Sequence, residues 1–192
     1  MRDDITIRPE EEKDFNEIDK LVIDSFTKGT NYSDGSDIVL LIKEIRAGKY
    51  YIPELSFVAE LNGKIVGHFM FSHFPLSTSP TQANYDRDIV RTEIVMLAPV
   101  SVHGDYLRQG IGSTMLKLGI EKVKEMGYKG IQVEGDPAFY NKVGFVTSAK
   151  YNIHPTSGWA LENPECMMYM ETYPGSLKGI SGYVIYDMYK YA

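Results

Sequence analysis

The sequence predicts an α/β (α+β) fold, with helices flanking a mixed central β-sheet, in a single domain over residues 1–192. Three observations carry this. Strand-like runs over 55–60 and 64–71 are joined by Asn62-Gly63, the strongest short hairpin signal, because both residues accept positive φ. A long β-rich run over 89–102 is followed by a helical pattern and then another strand, the order of a βαβ crossover. A chain of 192 residues is long enough to bury one substantial core and short for two ordinary domains.

The elements follow in order. Ile5-Thr6-Ile7 alternates as a short strand ended by Arg8-Pro9. Residues 10–26 read as a helix, with Phe15, Ile18, Leu21, Val22 and Phe26 at helical spacing and an acidic first turn that suits the helix dipole. The polar stretch 28–36 is loop chemistry, and Ser36 or Asp37 is placed to cap a second helix carrying Val39, Leu40, Ile42 and Ile45 and ending near Gly48. After the hairpin, 77–88 is a polar, Pro-containing loop. The helix over 108–126 buries Ile111, Met115, Leu116, Ile120, Val123 and Met126, turns Lys117, Glu121, Lys122, Lys124 and Glu125 to solvent, and stops at Gly127. A strand over 129–134, a short helix over 137–142 and a strand over 145–149 come next, with further strand candidates near 167–170 and 183–186.

Composition narrows the function. A net charge of −6 argues against a nucleic-acid binder working through a basic face. The single cysteine, Cys166, excludes an intrachain disulfide and a cysteine-based zinc cluster, and His68, His73, His103 and His154 show no metal-ligand spacing, so no metal is expected. The charged start Met1-Arg2-Asp3-Asp4 lacks a signal-peptide pattern, and no apolar run reaches about 18 residues. A cytoplasmic protein without membrane contact is expected.

The chemistry lies where the long strand turns into the helix. Arg108-Gln109-Gly110-Ile111-Gly112 puts two glycines where a backbone can approach a ligand and adopt torsions that a Cβ forbids. The first-turn N–H groups of a helix lack internal partners and, with the helix dipole, form an anion site. Arg108 adds a cation and Ser113 a hydroxyl, so the turn suits a pyrophosphate, although a glycine pair serving only the packing of a crossover is the plain alternative. A P-loop is excluded because Ser113-Thr114 follows Gly112 without a lysine, and a dinucleotide fingerprint because Met115 stands where its third glycine belongs. Pro99 cannot donate to a sheet ladder, so its strand should part from the one over 131–134 and expose unpaired amides to a ligand with amides of its own, such as pantetheine.

Val100-Ser101-Val102-His103 with Tyr106-Leu107-Arg108-Gln109-Gly110-Ile111-Gly112 resembles the acetyl-CoA signature of the GNAT N-acetyltransferase superfamily. Gly135-Asp136-Pro137-Ala138-Phe139-Tyr140-Asn141-Lys142-Val143-Gly144-Phe145 resembles its second motif, and the Gly-Asp-Pro start is most similar to a subgroup of predicted bacterial acetyltransferases. The resemblance covers about 5–150, leaving 151–192 as a C-terminal extension. Leu107 stands where the superfamily usually has Gln or Arg, which removes one side-chain donor and leaves the backbone cradle intact.

The resemblance implies acetyl-CoA as co-substrate and a primary amine, on a small molecule or a peptide, as acceptor. It implies a backbone N–H near Val100 polarising the thioester, pantetheine along Val100, Ser101 and Val102, and the pyrophosphate over Arg108, Gln109, Gly110, Ile111, Gly112 and Ser113. Tyr140 matches the general-acid tyrosine; a packing aromatic beside Phe139 and Phe145 is the other reading. Glu93 or Glu134 would be the base, unless either is solvated or paired with Arg91 or a lysine, or water alone serves. His103 reads as structural, and Asn141 either reaches the cofactor or is a helix-surface amide. Trp159, Met167, Met168, Met170 and the tyrosines at 151, 169, 173, 183, 186, 189 and 191 fill core or strand positions, with part of the tail left for an acceptor pocket or homodimer contacts. A non-catalytic acyl-CoA sensor is the alternative to an enzyme.

Overall fold

The computed structural model describes residues 4–29, 34–80, 89–90, 93–155, 164–185 and 189. In chain order the elements are β1 (Ile5–Pro9), α1 (Phe15–Gly29), α2 (Ser36–Ala47), β2 (Tyr51–Leu61) and β3 (Lys64–His73). Next come β4 (Leu76–Ser77), β5 (Ile89–Val90), β6 (Ile94–Val102), α3 (Ile111–Glu125) and β7 (Gly130–Glu134). The chain closes with α4 (Pro137–Tyr140), β8 (Val146–Thr147), β9 (Ile153–Pro155), β10 (Met167–Glu171) and β11 (Gly182–Val184). Two compact units divide it: one holds the described residues of 1–72 and 97–122, the other those of 73–96 and 123–190. Among the described residues no helix is long and apolar enough to cross a membrane, and no cluster of metal-ligating side chains occurs.

In the first unit the strands run β1-β2-β3-β6. β1 lies antiparallel to β2 from Ile5–Leu61 to Pro9–Phe57. The β2–β3 hairpin turns at Asn62 (φ 51) and Gly63 (φ 77), as the dipeptide predicts. Gly67 leaves room for the Met115 side chain, and Gly119 sits against the rings of Phe69 and Phe71, so two missing side chains let α3 lie close on β3. Phe69 stacks on Phe57 at 5.1 Å and meets Phe71 edge-on at 5.7 Å.

This unit also buries a charge. The Glu10 carboxylate, 1 % exposed, accepts from Arg46 Nη2 at 2.6 Å and Nε at 3.0 Å, from the Tyr51 hydroxyl at 2.8 Å and from His68 Nε2 at 3.0 Å. Four donors from α2, β2 and β3 thus converge on one anion, the condition under which a buried carboxylate is tolerated. Burial opposes ionisation of Glu10, but the His68 and Arg46 hydrogen bonds outweigh it and hold the carboxyl well below the usual range.

Several boundaries differ from expectation. The helix predicted from residue 10 begins at Phe15, because Asp14 closes a 3-10 turn by taking the Glu11 N–H (2.8 Å) and a bidentate pair from Arg8 (2.6 and 3.0 Å). Neither Ser36 nor Asp37 caps α2: Gly35 does, at φ 81, and Asp34 accepts from the Ser36 N–H at 2.9 Å. Leu40, expected on the buried face, is 38 % exposed, and so is Met126 at 40 %.

In the second unit the strands run β6-β7-β10-β8, with a separate sheet β5-β4-β11-β9. β6 and β7 are parallel over three pairs, Ile94–Gly130 to Met96–Gln132. β7 and β10 are antiparallel over five, Glu134–Met167 to Gly130–Glu171. Phe74, Leu76, Ile94, Ile153, Met167, Tyr169, Leu177 and Val184 form the core here. The single strand expected over 89–102 is broken: Ile89–Val90 pairs with β4, and β6 starts only at Ile94. The strand expected over 145–149 shortens to Val146–Thr147, because Ser148–Tyr151 winds into a 3-10 turn. Arg91, Trp159, Tyr186 and Tyr191 lie outside the described residues, as do positions 30–33 and 81–88 of the two expected loops.

Candidate functional site

The turn before α3 is built by local hydrogen bonds. His103 Nδ1 accepts the Asp105 N–H at 3.3 Å and its ring meets Tyr106 edge-on at 5.6 Å, the structural role expected of it. Gln109 Nε2 donates to the Asp105 carbonyl at 3.0 Å, so that side chain holds the loop. Arg108 (φ 60) and Gly110 (φ 83) take left-handed torsions, and the Thr114 N–H closes the first helical bond on the Gly110 carbonyl at 3.0 Å. The amides of Ile111, Gly112 and Ser113 therefore have no carbonyl within the helix. Ile111 anchors the turn at 3 % exposure, while Arg108, Gln109, Gly110 and Ser113 are exposed.

Of the two glycines, only Gly110 needs its torsional freedom. Gly112 has an ordinary helical backbone, and a Cβ there would make an unremarkable 3.5 Å contact with Val102 Cγ2. The expectation that both glycines escape a torsional ban is corrected accordingly; Arg108 is the second left-handed residue, and no glycine pattern announces it. The turn opens into a groove of about 740 Å³, lined among others by Ile5, Ile7, Gly110, Ser113, Lys117 and Leu118.

Along β6 the ladder to β7 has its last pair at Met96–Gln132, three residues before Pro99, whose bond to Ala98 is cis. Val100 and Val102 are half-buried, whereas Ser101 is 1 % exposed and its Oγ has no protein partner. The first unit thus collects Val100, Ser101, Val102 and residues 108–113; Glu93, Tyr140 and Asn141 belong to the second.

There, the Gly-Asp-Pro start has a plain physical basis. Asp136 Oδ1 accepts the Ala138 N–H at 2.8 Å as N-cap, Pro137 opens α4, and Gly135 makes room for the Tyr140 ring. Tyr140 is packed edge-on between Phe139 (5.0 Å) and Phe145 (5.5 Å), and burial pushes its phenol up to about 12. Asn141 is exposed at the end of α4. Glu93 is ion-paired with Lys129 at 2.9 Å, and that hydrogen bond lowers its pKa. Pairing with a lysine was the competing reading of Glu93, and Lys129 is the lysine it pairs with.

A mixed sheet whose central strand runs through an open amide turn into a helix defines a class: α/β proteins that hold a phosphate-bearing ligand on a helix N-terminus. Comparison with known proteins narrows the class. The sequence pattern of the Acetyltransferase (GNAT) family matches residues 15–145, and this chain belongs to that family. It is 29% identical over 119 residues to the uncharacterised N-acetyltransferase YjhQ of Escherichia coli K12, covering 62% of this chain and 59% of that one. To YhbS of the same strain it is 26% identical over 91 residues, 47% and 48% of the two chains. The match thus spans about half of each curated relative. Among solved structures, YhbS from Escherichia coli in complex with CoA superposes with a TM-score of 0.74 at 25% identity, covering 94% of this chain and 88% of that one. A GNAT family acetyltransferase from Brucella melitensis in complex with acetyl-CoA gives 0.62 at 28% identity, covering 73% and 82%.

Proposed function

We propose that this chain transfers the acetyl group of acetyl-CoA to a primary amine, on a small molecule or a peptide, with residues 1–192 working as one catalytic domain. The observation that carries the reading is the turn at 108–113, where three first-turn amides, two left-handed residues and open space around Gly110 make an anion cradle. The CoA and acetyl-CoA held by two similar structures support the same ligand.

In this reading the amides of residues 111–113 and the Arg108 guanidinium hold the pyrophosphate, and Ser113 adds a hydroxyl. Val100 to Val102 offer main-chain groups to the pantetheine amides, and the Val100 N–H polarises the thioester carbonyl. Acetyl-CoA supplies the activated acyl carbon; the amine nitrogen bonds to it as the carbon–sulfur bond breaks. One proton leaves the nitrogen for water, and Tyr140 donates one to the departing sulfur and is reprotonated from solvent. A phenol is protonated at neutral pH at its ordinary 10 as at the about 12 to which burial pushes Tyr140, so the proton is present for donation. With Glu93 engaged by Lys129, water is the proton acceptor. Part of the tail after residue 150 contributes acceptor-site or homodimer contacts.

Thiol release from acetyl-CoA in the presence of an amine panel tests the reading; no turnover with any amine refutes it. Tyr140→Phe is expected to lower kcat about 100-fold while CoA affinity stays unchanged. The packing of Tyr140 between two phenylalanines favours a second reading, a non-catalytic acyl-CoA sensor. That reading predicts CoA binding without turnover in the unsubstituted protein.

A further inference from the structure

The groove beside the amide turn extends well past the turn itself. Its volume of about 740 Å³ is in the range of small-molecule sites, and its lining residues all lie in the first unit. Gly110, Ser113, Lys117 and Glu121 recur at three- and four-residue intervals, so they share one face of α3. They carry the groove roughly 16 Å along the helix axis, away from the turn. Ile5 and Ile7 line it as well, two residues apart and so on one face of β1. Both are half-buried, and Leu118 is 39 % exposed. The apolar part of the lining is thus only partly covered by the protein's own side chains.

Lys117 is a charge in this groove that nothing answers. Among the described residues it has no ion-pair partner, whereas Lys122 and Lys124, the other lysines of α3, are both engaged. Side chains of an α-helix lean toward its N-terminus, so Lys117 leans back over the turn that holds Ser113, toward the open amides. A ligand whose diphosphate rests on those amides therefore meets apolar side chains and a free cation along one helix face. Glu121 stands one turn beyond Lys117, so a further phosphate is favoured on the near side of Lys117 and repelled past it. Coenzyme A has its parts in this relation: the diphosphate joins the pantetheine arm to an adenosine whose ribose bears a 3′-phosphate. The flat base offers a face to Ile5, Ile7 and Leu118, and the 3′-phosphate offers Lys117 a counter-charge.

We propose that this groove takes the adenosine end of the coenzyme and that Lys117 reads its 3′-phosphate, setting selectivity for CoA over thiol carriers that lack that group. This rests on the reading above that places the diphosphate over residues 111–113, and it narrows the donor: dephospho-CoA and bare phosphopantetheine are poor occupants.

The test titrates CoA and dephospho-CoA into the full chain by calorimetry, with acetyl-CoA thiol release measured in parallel. The unsubstituted protein is expected to bind CoA about tenfold more tightly than dephospho-CoA. Lys117→Met should abolish that preference while leaving the affinity for dephospho-CoA as it was, and Lys117→Arg, which keeps the charge, should retain it. Lys117 is exposed, so neither replacement disturbs buried packing. Leu118→Asn, which removes apolar surface and leaves the cation, should weaken both ligands alike. Equal affinity for the two ligands in the unsubstituted protein, or a preference that survives Lys117→Met, overturns the subsite even where amines are acetylated. Binding of neither ligand overturns the cradle along with it. A preference lost in Lys117→Met, without thiol release for any amine, sustains the subsite and refutes the transferase reading instead.

Discussion

Arg108 holds its backbone at φ 60, a left-handed torsion that costs a non-glycine residue roughly 1–2 kcal/mol, and it does so beside the open amides of α3. Such strain persists where the surroundings over-determine it, often at ligand sites. Arg108→Gly should therefore leave the melting temperature unchanged or higher while weakening acetyl-CoA binding, because the strain goes and so does the cation. A melting-temperature scan with and without acetyl-CoA separates the two effects. The buried centre at Glu10 makes a second residue-scale prediction. Burial lowers the pKa of His68 from its ordinary 6.5, so below that pH the unfolded chain takes up a proton that the folded chain refuses. The associated stability is present above pH 6.5 and lost as the pH falls. Glu10, held below its ordinary 4.5 by His68 and Arg46 against the opposing effect of burial, contributes stability above that value that is lost on further acidification. Urea unfolding from pH 8 to 4 should show stability declining in two stages, and His68→Gln should remove the first. Neither residue was legible as a site: Glu10 and His68 are 58 positions apart, and only folding brings them to 3.0 Å.

α3 shows how far an element can be read from its own residues. Its 3.6-residue pattern marked Ile111, Met115, Leu116, Ile120, Val123 and Met126 as the inward face; the first five are buried, and Met126, one residue past the helix end, is exposed. Gly127, at φ 82, ends it as expected. What the pattern could not show is how closely the helix approaches β3. A Cβ on Gly119 would fall inside the van der Waals envelope of the Phe69 and Phe71 rings, both fully buried. Gly119→Ala should accordingly cost about 2 kcal/mol through overpacking, despite alanine's better helix propensity, and chemical denaturation would register it. The α2 start was misread for the converse reason. Serine and aspartate at 36 and 37 are good caps by type, but Asp34 already takes the Ser36 amide, and a left-handed Gly35 leads the chain in.

For the molecule as a whole, the family match over 15–145 falls within the span of about 5–150 that the two motifs marked. If acetyl-CoA binds the folded chain alone, mass action at a hundredfold excess over Kd adds about 2.7 kcal/mol. For a chain of this size that raises the melting temperature by about 5–10 °C, and Gly110→Ala, which puts a Cβ on a left-handed residue, should shrink the shift. The amino-acid sequence alone determined the hairpin at Asn62-Gly63, the amphipathic α3, a short helix opening at Pro137 and the amide turn before α3. Each depends on torsional and spacing preferences within a dozen residues, which are written locally. The tertiary structure decided that Glu93 pairs with Lys129, that Glu10 gathers Arg46, Tyr51 and His68, and that Gln132 stands opposite Tyr169 across the β7–β10 ladder. Those outcomes depend on strand register and helix docking between distant segments, where one residue of slip exchanges the buried face for the exposed one, and no local pattern encodes them.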